Sequence, residues 1–171
     1  MMLLQMSLLV PALAIALFVR IGLRDMEIQK IANNDILALA VVGLANTCLL
    51  YLQPASAPSA WMGPVMGLAL FVALFPFWLI GKIGAGDVKL LAVVPMVIGM
   101  QHIAEFGLLF LSFVSINVFI MRGTVLDGIP QIQRYVEFFG NRGIIPFGVP
   151  VSAAACIVLI VQMIYTFVAI S

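Results

Sequence analysis

Charge is what this sequence has least of. Asp, Glu, Lys and Arg make up only 9% of its 171 residues. A soluble domain carries roughly 25%, because it must coat its surface with them. A water-exposed enzyme and a disordered tail are therefore excluded. The net charge is +1, so no basic excess exists to hold a phosphate backbone, and nucleic acid is excluded as a partner. Cysteine is scarce too. Cys48 and Cys156 stand alone in apolar runs. Without CxxC spacing they support neither a zinc ribbon nor a disulfide framework, and they read as small apolar side chains. The single histidine, His102, excludes a multi-histidine metal site. No Lys or Arg occurs before Arg20. A signal peptide needs a basic start, so the first apolar run reads as a retained helix. Internal repeats and low-complexity linkers are also missing.

What fills the chain instead is apolar sequence: 64% hydrophobic residues, with a mean hydropathy of +1.23. Lipid is the solvent such a surface requires. A helix needs about 20 apolar residues to cross a hydrocarbon core about 30 Å thick. Six runs qualify as candidates: Met2–Ile21, Ile36–Leu52, Trp61–Ile80, Val88–Met100, Ile103–Met121 and Phe147–Ile170. The fourth is short and holds Pro95, and Gly99-Met100-Gln101-His102 reads as a tight turn before the fifth. The expectation is an all-α polytopic membrane protein of about six spans, a single domain over 1–171. With the N-terminus outside, all eight basic residues, Arg20, Arg24, Lys30, Lys82, Lys89, Arg122, Arg134 and Arg142, fall on the cytoplasmic side. Basic residues are retained there, so both termini are predicted to face outward. The longest stretch outside the spans, Arg122–Ile145, carries Ile129, Ile132, Tyr135, Val136 and Phe139 on one helical face. It reads as an amphipathic interfacial helix, either a connector or a docking element.

Ionisable groups at a membrane need a reason. Of the seven acids, only Glu105 is predicted outside. Asp87 stands out, in Gly84-Ala85-Gly86-Asp87-Val88-Lys89 at the mouth of the fourth span. One reading makes it a plain helix N-cap. The other pairs it with Asp25, a turn beyond the first span. The chain crosses the bilayer twice between them, so both return to one face. Two carboxylates held close share a proton. The ionised one then takes a proton from an attacking water and the protonated one donates to a carbonyl oxygen. That is aspartic-protease chemistry. Glu27 reads as a solvated loop charge, and Asp35 is expected to help Asn33 or Asn34 cap the second span.

These motifs make the chain similar to the type IV prepilin peptidases, most of all to the short form that serves tight-adherence (Flp-type) pili. That family carries Gly-x-Gly-Asp-x-Lys at the cytoplasmic start of a membrane helix, and residues 84–89 match it throughout. It also carries an aspartate after the first span, followed by Ile-Pro-Asn. Asp25 with Ile31-Ala32-Asn33 matches, with Ala32 in place of proline. The family's Pro-aromatic-Gly segment is matched by Pro146-Phe147-Gly148. The resemblance implies Asp25 and Asp87 as the catalytic pair, with Gly84, Gly86, Lys89 and Asn33 in support. Gly84 and Gly86 would open Asp87 to the substrate backbone. Lys89 would stabilise charge near the pair or reach lipid headgroups. The implied substrates are prepilins and pilin-like proteins, cut at the cytoplasmic face of the inner membrane, with the pilus assembly machinery as a further partner. Long members carry a loop with paired CxxC motifs and also methylate the new N-terminus. This chain lacks it, which implies a peptidase without methyltransferase activity, zinc or S-adenosylmethionine. Besides a related intramembrane aspartyl protease with a different substrate, two rival classes remain at this level. A small proton-coupled transporter calls for polar residues mid-span, where only Asn46, Thr47, Ser112, Ser115 and Asn117 occur, all suited to helix packing. A non-catalytic assembly subunit requires Asp87 to be only a cap.

Overall fold

The computed structural model describes residues 2–53, 57–121 and 147–168. Every regular element among them is helical. In chain order they are α1 (Met2–Ile28), α2 (Asn33–Tyr51), the short α3 (Ala57–Ala60), α4 (Met62–Leu79), α5 (Ala85–Ile98), a 3-10 turn (Met100–His102), α6 (Ile103–Met121) and α7 (Gly148–Val168). The all-helical expectation therefore holds. Four segments are long and apolar enough to cross a membrane: Asn33–Tyr51, Met62–Leu79, Met100–Phe119 and Gly148–Val168. The amphipathic reading of 122–145 lies outside the described residues.

The fourth run is short, as expected, and its bounds are displaced. α5 begins earlier, at Ala85, and has only 14 residues. At 1.5 Å per residue it is about 21 Å long, short of the core thickness. It survives because protein surrounds it. α2, α4 and α7 all pack on α5, and Val88, Leu90, Val93, Val94, Val97 and Ile98 are buried. Glycines permit the close approach. A Cβ on Gly43 of α2 would lie 2.9 Å from the Met96 Cβ. One on Gly63 would lie 2.7 Å from the Pro95 carbonyl oxygen, and one on Gly67 would strike the Ala92 carbonyl oxygen. Gly63 and Gly67 form a small-xxx-small step of the kind that seats membrane helices together. The helix stops where the turn was expected, at Gly99 with φ +81°. Its last carbonyls would be orphans in an apolar setting. Asn46 of α2 donates to Val97 O at 3.0 Å, and Gln162 of α7 donates to Ile98 O at 2.8 Å.

α1 and α7 form the other main pair and run antiparallel. Gly22 packs against Ser152, and Gly148 against Asp25. Val10, Ala14, Phe18 and Ile21 are the buried stripe of α1, repeating at the helical period. The outward faces are apolar as well: Leu13, Leu37, Val41, Leu68, Val72 and Leu108 are exposed. Such faces are stable only against lipid.

Candidate active site

Asp25 continues the buried stripe of α1 by one more turn. It is only 4% exposed. Its carboxylate lies against the first residue of α7, and a Cβ on Gly148 would come within 2.7 Å of Asp25 Oδ2. Only glycine leaves that room. Burial pushes the Asp25 pKa above the ordinary carboxylate range, and the Gly148 and Val149 backbone N–H groups pull it partly back. These are free donors of the first turn of α7, where a negative charge is favoured. Oδ2 itself accepts no hydrogen bond among the described residues.

Asp87 belongs to the first turn of α5. The N-cap is Gly84, in extended backbone at φ −68° and ψ 144°, so Asp87 sits three residues on. From there it accepts a hydrogen bond from the Gly84 N–H, the reach-back half of a capping box. A Cβ on Gly84 would lie 2.7 Å from Asp87 Oδ2. The capping reading is thus right in kind and wrong in position. The Asp87 pKa is pushed up to about 6, first by burial and then by the negative charge of Asp25. Asp25 is therefore close enough to act on the ionisation of Asp87.

The supporting residues also meet. Lys89 Nζ donates to Asn33 Oδ1 at 3.1 Å, which ties the start of α5 to the start of α2. A Cβ on Gly86 would lie 3.1 Å from the Ile31 Cβ. The open side of Gly86 is thus filled by the chain's own α1–α2 loop, while Gly84 is exposed.

The other acids separate cleanly. Glu27 is exposed. Asp35 does not cap α2: the N-cap is Ala32, with no side-chain cap bond. Asp35 is instead buried, 4% exposed, and pairs with Arg20 Nε at 3.3 Å and Arg24 Nη1 at 3.8 Å. The sequence reading missed this cluster. Its signal was available: Arg20 and Arg24 stand four apart, on one face of a helix end.

A family model described as the type IV leader peptidase family matches residues 3–121, more than two thirds of the chain. The chain belongs to the type IV leader peptidase family. As a member of the family it is a peptidase of the leader-peptidase kind, with pilin-type substrates and a membrane setting. The matched region contains Asp25, Asn33, the 84–89 motif and α5, while α7 lies beyond it. No curated protein and no solved structure matches the chain.

Proposed function

We propose that this leader peptidase is an aspartic endopeptidase of the Gly-x-Gly-Asp type. Asp25 and Asp87 are its catalytic pair. Its substrates are Flp-type prepilins and pilin-like proteins, cut at the cytoplasmic face of the inner membrane. It works without zinc or S-adenosylmethionine and does not methylate its product. One observation carries the reading. Asp25 is buried with no cation beside it among the described residues, and its charge helps raise the Asp87 pKa to about 6.

A pair of this kind works by asymmetry. Two backbone N–H groups, of Gly148 and Val149, face the Asp25 carboxylate and one, of Gly84, faces Asp87. Donors favour the ionised form, so we take Asp25 as the base and Asp87 as the acid. Asp25 takes a proton from water as the water oxygen bonds to the scissile carbonyl carbon. Asp87 gives its proton to the carbonyl oxygen, completing a neutral gem-diol. On collapse the C–N bond breaks and Asp25 returns its proton to the leaving nitrogen. Asp87 recovers a proton from the gem-diol hydroxyl, and both groups are reset. The Lys89–Asn33 hydrogen bond and the Gly86–Ile31 contact hold the helix ends that carry the pair.

The test is leader removal from a co-expressed Flp-type prepilin, read as a gel shift. Cleavage by the wild type and by Glu27→Gln is expected, with none by Asp25→Asn or Asp87→Asn at equal membrane levels. Normal cleavage by either Asp variant would sink the mechanism. An inert wild type on several prepilins would bring the transporter and assembly-subunit readings forward.

A further inference from the structure

The seam between α1 and α7 holds more polar atoms than packing requires. Small residues line α7 at four-residue steps: Gly148, Ser152 and Cys156. Gly148 lies against Asp25 and Ser152 against Gly22, three residues before Asp25. The Cys156 thiol points to Ile15 O at 3.9 Å. Ser152 is 4% exposed, and its hydroxyl has no hydrogen-bond partner among the described residues. That is unusual for this chain. Thr47, Ser112, Ser115 and Thr166 each donate to the carbonyl four residues back, at 2.7–2.9 Å. This is the ordinary resting place of a hydroxyl in a membrane helix. Ser152 does not take it.

Packing gives no reason for the hydroxyl. The residues after Ser152 are three alanines, and an alanine would meet Gly22 equally well. An unpartnered buried hydroxyl is a net penalty, so its presence calls for a use. On the same seam lies an acceptor without a partner among the described residues, Asp25 Oδ2. Among the described residues, Ser152 and Asp25 thus place an unmatched hydroxyl and an unmatched carboxylate oxygen on one seam, at positions a turn apart along α7.

Resting on the aspartic-peptidase reading, we infer that Ser152 is a positioning residue: its hydroxyl donates to the Asp25 carboxylate, directly or through one water, and so keeps Asp25 as the base of the pair. A donor to the ionised form favours that form. Among the described residues no other side chain duplicates it. α5 contributes Asp87, which opposes ionisation, and Lys89, which is engaged with Asn33. α2 contributes Asp35, which holds Arg20 and Arg24. α1 itself adds only exposed Glu27 nearby, and α7 offers the Gly148 and Val149 N–H groups.

The test compares wild type and Ser152→Ala as full chains in lipid nanodiscs. With Asp25 as base, the acid limb of the kcat/KM profile should move up by about one pH unit in Ser152→Ala. Cleavage should fall about tenfold below that limb and little above it. An unmoved acid limb would overturn the role of Ser152, and leave the aspartic mechanism intact if Asp25→Asn is inactive. A second readout does not need cleavage. In the Asp87→Asn background, the infrared carboxyl band that Asp25→Asn removes should titrate about one pH unit higher without the Ser152 hydroxyl. An unchanged titration would refute the assignment whether or not the wild type cuts prepilin.

Discussion

Asp25 and Asp35 are ten residues apart in sequence and equally buried, each 4% exposed. Their surroundings are opposite. Asp35 has Arg20 and Arg24 against it, so its charge is matched where it lies. Among the described residues Asp25 has no cation and has a second carboxylate as neighbour, and its pKa is raised above the ordinary range by burial. Burial alone does not mark a catalytic acid. The partner does. A carboxylate with a cation holds helices together, whereas one beside another carboxylate stores an ionisation conflict that chemistry can use.

The largest way to break this contrast is at the pair itself. Asp25→Asn or Asp87→Asn should lower the cleavage rate by about a thousandfold or more, measured on prepilin with purified protein. Next is Gly148→Ala, whose new Cβ would lie 2.7 Å from Asp25 Oδ2. Cleavage should drop by about tenfold or more as the carboxylate is displaced, because small misplacements at a site are expensive. Steady-state rates on the same substrate check it.

pH sharpens the contrast further. The folded-state pKa of Asp87 is about 6, above its ordinary value of 3.8. The folded protein therefore holds this proton more tightly than the unfolded chain, and stability falls as pH rises through that window. Asp87→Asn mimics the protonated side chain. It should melt at a higher temperature than wild type at pH 8, by the equivalent of at most about 3 kcal/mol, and show almost no gain at pH 4. Wild-type cleavage should decline as pH rises through about 6, as the acid of the pair loses its proton. The smallest effect belongs to the structural acid's outer partner. The Arg20 side chain is 64% exposed, so Arg20→Gln should shift stability by less than about 1 kcal/mol, with cleavage unchanged in the same assay.

Much of this was legible in the sequence. Apolar runs predicted α6 to the residue and placed the ends of α4 and α7 within a residue or two, because lipid imposes a length that composition alone reveals. Asp25 and Asp87 stood out because a charge beside an apolar run is costly. The shortness of α5 was legible too, but what makes it tolerable was not. A buried helix can be short when its neighbours satisfy its end, and that depends on Asn46 and Gln162, which are 51 and 64 residues from the carbonyls they serve. Asp35 was misread because three polar residues at a helix start suggest a cap, while its arginines lie on another helix. Ser152 gave no sign, since a serine among alanines looks like any small packing residue until its missing bond is seen.

The central claim is that the partner, and not burial, separates the catalytic acid from the structural one. It is tested most directly by measuring cleavage rate and melting temperature on the same preparations of Asp25→Asn and Asp35→Asn. The effects should cross. Asp25→Asn should lose cleavage and keep or gain heat stability. Asp35→Asn should lose about 1–3 kcal/mol of stability and still cleave prepilin at temperatures where it is folded. An active Asp25→Asn, or an Asp35→Asn that is fully folded and inactive, would contradict the account.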